Sequence, residues 1–139
     1  SRRPTQVGAL VLWYPALRAP ATVRARFGTR AAVPGTHTAR VDGRDIVLGR
    51  RYALDAWDLD VDAALRRLRA PVLLLHGDRD ADAPIEASEA AARILPDARL
   101  ERVAGAAHGF GDERLTAALE RTARFLSWSG VLEPAGESQ

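Results

Sequence analysis

The chain has 139 residues, of which 47% are hydrophobic and 27% charged. That suffices for one buried core, is short for two ordinary domains and is too apolar for a disordered chain. There is no cysteine, which removes disulfide and thiolate chemistry and fits a reducing, cytoplasmic setting. No apolar run reaches the length of about 18 residues that a membrane-spanning helix needs, so no membrane partner is expected. All 20 basic residues are arginine, and they are unevenly opposed: residues 1–57 carry a formal +7 and residues 58–139 a formal −5. The basic half reads as a solvated surface, or alternatively as a mouth that attracts anionic substrates. Nucleic acid is not expected as a partner, because no recognition motif accompanies the arginines.

Residues 7–14 (VGALVLWY) are almost continuously apolar, the pattern of a strand buried on both faces. Trp13, Tyr14 and Pro15 stand at its carboxyl end. Residues 16–57 lose the alternation of strand and helix, since Pro20, Gly28, Pro34 and Gly35 interrupt any long element. Within them, residues 38–48 (TARVDGRDIVL) set Asp-Gly between two short runs, a hairpin signal. His37, in a polar stretch just before it, is expected in solvent. Residues 58–69 predict an amphipathic helix with Val61, Ala64, Leu65 and Leu68 as its stripe. Its acids come first and its arginines last, as the helix dipole favours.

Residues 72–76 then form a short apolar run after Pro71, a buried strand. Ala87, Ala91, Ile94 and Leu95 recur at helical spacing behind Pro84, which suits a first helical turn. Residues 99–103 alternate and end at Gly105. Residues 112–128 predict a last helix, with Leu115, Ala118, Leu119, Thr122 and Leu126 on one face, and residues 129–139 a loose tail. A strand–helix–strand crossover makes its two strands parallel, so both end at one edge of the sheet. Asp80 and His108 each follow one of these strands, and should meet at the carboxyl edge where open parallel sheets hold their sites. A carboxylate beside an imidazole can fix the ring's tautomer and leave the far nitrogen to act as a base. Asp78 and Asp82 compete with Asp80 for the acid's place. His76, Asp78, Asp80 and His108 also offer metal-donor chemistry, but no close-spaced histidine pair accompanies them, and no metal or cofactor is expected.

The runs His76-Gly77-Asp78-Arg79-Asp80 with Ala83-Pro84, and Gly105-Ala106-Ala107-His108-Gly109-Phe110, resemble the C-terminal part of an α/β-hydrolase of the esterase or aminopeptidase-like kind. The resemblance covers residues 7–15 and about 45–127. It implies a partial α/β-hydrolase fold: a single domain over residues 1–139, the last three parallel strands with their crossover helices, and residues 16–57 as a small cap containing a β-hairpin. It also implies Asp80 as triad acid and His108 as triad base, in the order Ser, Asp, His. By their positions Trp13, Tyr14 and Phe110 would border the substrate, or Trp13 and Tyr14 would instead plug the top of the core. None of the chain's serines lies in G-x-S-x-G, the nucleophile elbow. The nucleophile is therefore expected upstream, in a missing N-terminal half that would be this chain's partner. The implied function is hydrolysis of a small carboxylic ester, less readily an amide, with this chain inactive by itself. The alternative is an inactive remnant that docks onto another subunit by its first strand.

Overall fold

Val72, Leu73, Leu74 and Leu75 are the most deeply buried run of the protein. In the computed structural model, which describes residues 7–41 and 43–132, they open the central strand. The elements run β1 (Leu10–Trp13), α1 (Ala19–Phe27), β2 (Thr36–Val41), β3 (Arg44–Gly49), α2 (Arg50–Asp58), α3 (Val61–Arg67), β4 (Val72–Gly77), α4 (Ile85–Ile94), β5 (Ala98–Val103) and α5 (Asp112–Trp128). β1, β4 and β5 make a sheet in the order β1-β4-β5. Both of its pairings are parallel, with Leu10 opposite Val72 and Val72 opposite Ala98.

Side chains alternate across a strand, and β4 divides its apolar residues accordingly. Leu73 and Leu75 pack with Val103, Ala106, Phe110, Ala118 and Phe125 on the α5 side. Val72 and Leu74 pack with Leu65, Ala91 and Leu95 on the α3 and α4 side. Fully burying one such leucine contributes about 1.5–3 kcal/mol, so both faces of β4 anchor the fold. β1 departs from the sequence reading: its residues are half-buried rather than buried. Among the described residues only β4 pairs with it, which leaves its other side uncovered.

The cap contains more helix than the sequence suggested. Two of the residues read as interruptions instead bound α1: Pro20 lies in its first turn and Gly28, at φ +70°, closes it. α2 follows β3 directly, and α1 and α2 share a small core of Val23, Val33, Ala53 and Ala56. The hairpin is present, with Thr36 opposite Gly49 and Val41 opposite Arg44. Asp42 of its turn lies outside the described residues. The helix expected over residues 58–69 is shorter, because residue 58 still belongs to α2. α3 starts at Val61, where the Asp60 carboxylate accepts the Ala63 N–H at 2.9 Å, a cap that satisfies an otherwise unpaired amide.

α5 has the expected span but a rotated inner face. Ala118 and Phe125 are buried, whereas Leu115 is 38% and Leu119 52% exposed. Beyond it, the Val131 and Leu132 N–H groups both donate to the Leu126 carbonyl, folding residues 129–132 back on the helix end. Residues 133–139 of the expected tail lie outside the described residues. No described helix is long and apolar enough to cross a membrane.

Candidate active site at the carboxyl edge of the sheet

The site is built from the loops that leave β4 and β5. His76 is fully buried near the end of β4. One ring nitrogen, Nε2, lies 2.7 Å from the Ala83 carbonyl, and the other, Nδ1, lies 2.7 Å from Ser88 Oγ. A carbonyl can only accept, so Nε2 carries the proton and Nδ1 accepts from the serine hydroxyl. His76 thereby clips the end of the acid loop, and the first turns of α4, to the strand. Within that loop Asp80 Oδ1 accepts the backbone N–H groups of Asp82 at 2.9 Å and Ala83 at 2.8 Å. The turn is held by the acid's own carboxylate.

The second loop is locked to the first. Asp78 Oδ1 accepts the Gly105 N–H at 2.6 Å, and the Arg79 N–H donates to the Ala106 carbonyl at 3.0 Å. Gly77 is the point of closest approach: a Cβ there would stand 2.2 Å from the Ala106 oxygen. Only glycine lets the two loops meet this way.

This carries His108 to Asp80. The His108 Nδ1–H donates to Asp80 Oδ2 at 2.8 Å, and His76 Nε2 stands 3.4 Å from the same oxygen. The Asp80 side chain is wholly enclosed, while that of His108 remains 18% exposed. Burial pushes the Asp80 pKa up, but the Ala83 amide, the His108 hydrogen bond and charge, and the Asp82 amide together hold it below the ordinary carboxylate value. With Nδ1–H spent on Asp80, His108 Nε2 is the nitrogen able to take a proton.

Aromatic rings wall this imidazole. The Tyr14 ring lies against it at 4.5 Å between centroids and meets Phe110 at 5.0 Å. Trp13 packs edge-on to Phe110 at 5.6 Å, and its indole N–H donates to Thr122 Oγ1 at 3.0 Å. Of the three aromatic residues singled out in the sequence, Tyr14 is the one whose ring meets His108, tilted at 59° to it. Phe110 is 1% exposed and sits beneath. Tyr14 at φ +36° and Phe110 at φ +64° are the non-glycine residues with positive φ among those described. Such backbone is uncommon for bulky residues and clusters at sites; here both flank His108.

Asp78 and Asp82, the competing acids, point to other tasks: Asp78 braces Gly105, and Asp82 borders a cavity of about 470 Å³ under the cap. Among the described residues no three acidic, histidine or cysteine side chains are grouped to hold a metal. Ser88 was not singled out in the sequence. Its one signal is a hydroxyl on the same helical face as Ala87 and Ala91, a polar residue in an apolar row that needs a buried partner. His37 differs from its expected exposure. It is half-buried, edge-on to Phe27 at 5.1 Å, and its Nδ1 is enclosed with no hydrogen-bond partner among the described residues.

A parallel sheet thus brings an enclosed carboxylate and an imidazole together from successive strand ends. Known structures share this fold. Est1E from Butyrivibrio proteoclasticus superposes with a TM-score of 0.76 at 26% identity, over 91% of this chain and 52% of that one. The structure of the same protein with ferulic acid bound gives 0.77 at 27%. An esterase domain from a Rhodothermus marinus protein, at 19% identity and a TM-score of 0.67, covers 88% of this chain and 52% of its own and shares the fold. A curated relative, the pimeloyl-[acyl-carrier protein] methyl ester esterase of Aromatoleum aromaticum, is 49% identical over 65 residues, which are 47% of this chain and 26% of that protein. No family model matches the chain. The chain thus spans about half the length of these solved structures and about a quarter of the curated relative. It belongs to the α/β-hydrolase superfamily, of which it carries part of the fold.

Proposed function

We propose that this chain supplies the acid and the base of a serine esterase, with Asp80 and His108 as two members of a Ser-His-Asp triad. The observation that carries the reading is the 2.8 Å bond from His108 Nδ1 to an enclosed carboxylate whose other oxygen is held by two amides. Such a carboxylate fixes the tautomer and steadies the imidazolium when it forms. The serine and the oxyanion-hole amides come from a part of the fold outside these residues. Among the described serines, Ser88 is engaged with His76, and Ser127 and Ser129 lie at the end of α5.

In the assembled site the serine Oγ attacks the ester carbonyl carbon while His108 Nε2 takes its proton. The tetrahedral intermediate collapses, and the same proton passes to the leaving alkoxide. The alcohol leaves, and water then repeats the sequence on the acyl-enzyme, releasing the acid and restoring the serine. The Tyr14 ring, tilted at 59° to the imidazole, packs beside it throughout. The curated relative's name, a methyl ester esterase, favours an ester over an amide. The reading of an inactive docking remnant is weaker, because a remnant has no need of an intact carboxylate–imidazole pair.

The test uses the complete open reading frame. An in-frame G-x-S-x-G ahead of residue 7, covalent labelling of its serine by a fluorophosphonate, and loss of both labelling and ester turnover in His108→Ala are expected. A complete protein that takes the label and turns over esters equally well with His108→Ala refutes the assignment. The 139-residue chain alone is expected to be inactive toward 4-nitrophenyl acetate.

A further inference from the structure

The cavity of about 470 Å³ beside the acid loop is not explained by the acid–base pair. It lies between the cap and the segments that follow β1 and β4, and Val23, Phe27 and Leu48 give it an apolar body. Its acidic and basic lining groups divide by segment: Asp82 comes from the acid loop, and Arg18, Arg26 and His37 come from the cap. We propose that this cavity receives an acyl group that ends in a carboxylate, bound at the cap wall by Arg26 and His37. The proposal rests on the esterase reading above and extends it to the substrate's far end.

Three observations carry it. First, Arg26 is held at that wall: one guanidinium nitrogen donates to the Thr38 carbonyl at 2.8 Å, next to His37 on β2. The fork has five N–H donors, so this bond leaves others for a ligand. Second, His37 borders the cavity with its Nδ1 enclosed and unpartnered among the described residues. The tautomer that leaves only a lone pair unsatisfied there carries its proton on Nε2, which makes the ring a donor. Phe27 fixes the ring edge-on. A guanidinium and an imidazole N–H are donors alone, and their complement is a group that only accepts, as an ionised carboxylate does. Third, the polarity of the cavity sets the ligand's direction. Asp82 repels an anion at the acid-loop wall, while Arg18 adds to the positive charge that Arg26 brings from the cap segment, so the carboxylate goes to the cap and the apolar chain runs back toward the site. In a largely apolar cavity such charge-assisted bonds are stronger than in water.

The test compares 4-nitrophenyl hexanoate with the 4-nitrophenyl half-ester of adipic acid, which has the same chain with a terminal carboxylate, on the product of the complete reading frame. Expected is a kcat/KM ratio that favours the acid-tailed ester about tenfold. That ratio should fall about tenfold in Arg26→Gln, the scale of one lost hydrogen bond to a charged group, and also fall in His37→Phe. Arg51→Gln, on an arginine far in solvent at 92% side-chain exposure, should leave the ratio alone. A wild-type ratio at or below one overturns the proposal without any variant. So does a ratio that neither cap variant moves, or that Arg51→Gln lowers as much, which would mean general attraction by the basic cap. Preference for a phenol-ended ester over both would replace the carboxylate with a neutral acceptor and also overturn it. If neither ester is turned over, the esterase reading fails by itself, and calorimetric titration with adipate decides the subsite. Saturable binding weakened by Arg26→Gln supports it, and no binding removes it.

Discussion

Replacing Gly77 by alanine tests the whole architecture of the site with one methyl group. The added Cβ would lie 2.2 Å from the Ala106 oxygen and 2.7 Å from its carbonyl carbon, where real Cβ atoms essentially never come within 3.0 Å of a neighbour. Ala106 must retreat by the better part of an ångström. It is fully buried against Leu75 and Phe110, so it cannot retreat freely. The move would also stretch the Arg79 N–H bond to Ala106, now 3.0 Å, and the neighbouring Gly105 N–H bond to Asp78, now 2.6 Å. Overpacking costs about 1–3 kcal/mol and each weakened hydrogen bond up to about 1 kcal/mol. Gly77→Ala is therefore expected to lose about 2–4 kcal/mol in urea unfolding of the complete protein. Because residue 106 carries residue 108, the low-field His108 Nδ1 proton resonance should shift or broaden. Ester turnover should drop about a hundredfold, the scale of a misplacement of about 1 Å. A variant with wild-type stability, an unmoved His108 proton and full turnover would show that the two loops are not locked at Gly77, and the account of the site would fall.

Asp80→Asn keeps the shape of the acid but not its charge, and is expected to lower kcat by about three to four orders of magnitude with a much smaller change in KM; an equal rise in KM and unchanged kcat would assign Asp80 to binding instead. The folded state holds the Asp80 pKa below its ordinary value of 3.8, so its stabilising contribution is complete above that value and is lost as pH falls through the folded-state pKa. Acid unfolding below about pH 4 should thus be shallower in Asp80→Asn than in wild type, and superimposable acid limbs would contradict the shift. Ser88→Ala strands the buried His76 Nδ1 without its donor and should cost about 1–3 kcal/mol in thermal unfolding. Thr122→Val removes the acceptor of the Trp13 indole N–H, and should cost about 1 kcal/mol and move that indole resonance alone.

The sheet and its site were legible for a definite reason. Two apolar runs separated by a single helical pattern leave the chain one topology, and that topology delivers residues 80 and 108 to one edge whatever else the chain does. The partners that make the pair rigid were less legible, because they are local contacts without a sequence period. Nothing in the spacing announces that the Ala106 carbonyl rests on Gly77, or that Ser88 answers His76 from the next helix.

The two cap helices were passed over through the same kind of signal that served elsewhere. Pro20 and Gly28 mark helix ends as well as loops, and the choice depends on the residues between them. In α1 these bury only Pro20 and Val23, too few to draw an apolar stripe. Its neighbour α2 buries Ala53 and Ala56 against it. Alanines contribute to a core through close approach rather than through size, so a pattern of large apolar residues passes over them. His37 was assigned to solvent because its neighbours in sequence are polar; the hairpin instead turns it under Phe27 and toward the cavity. The residues that local reasoning placed worst are those whose surroundings come from another element. In this protein that group contains the cap wall, and on the proposed esterase reading the cap wall is where a preference for one acyl group over another would be set. On the proposed reading the strands present an acid and a base that many esters would satisfy, and it falls to Arg26, His37 and the apolar body between them to choose among those esters.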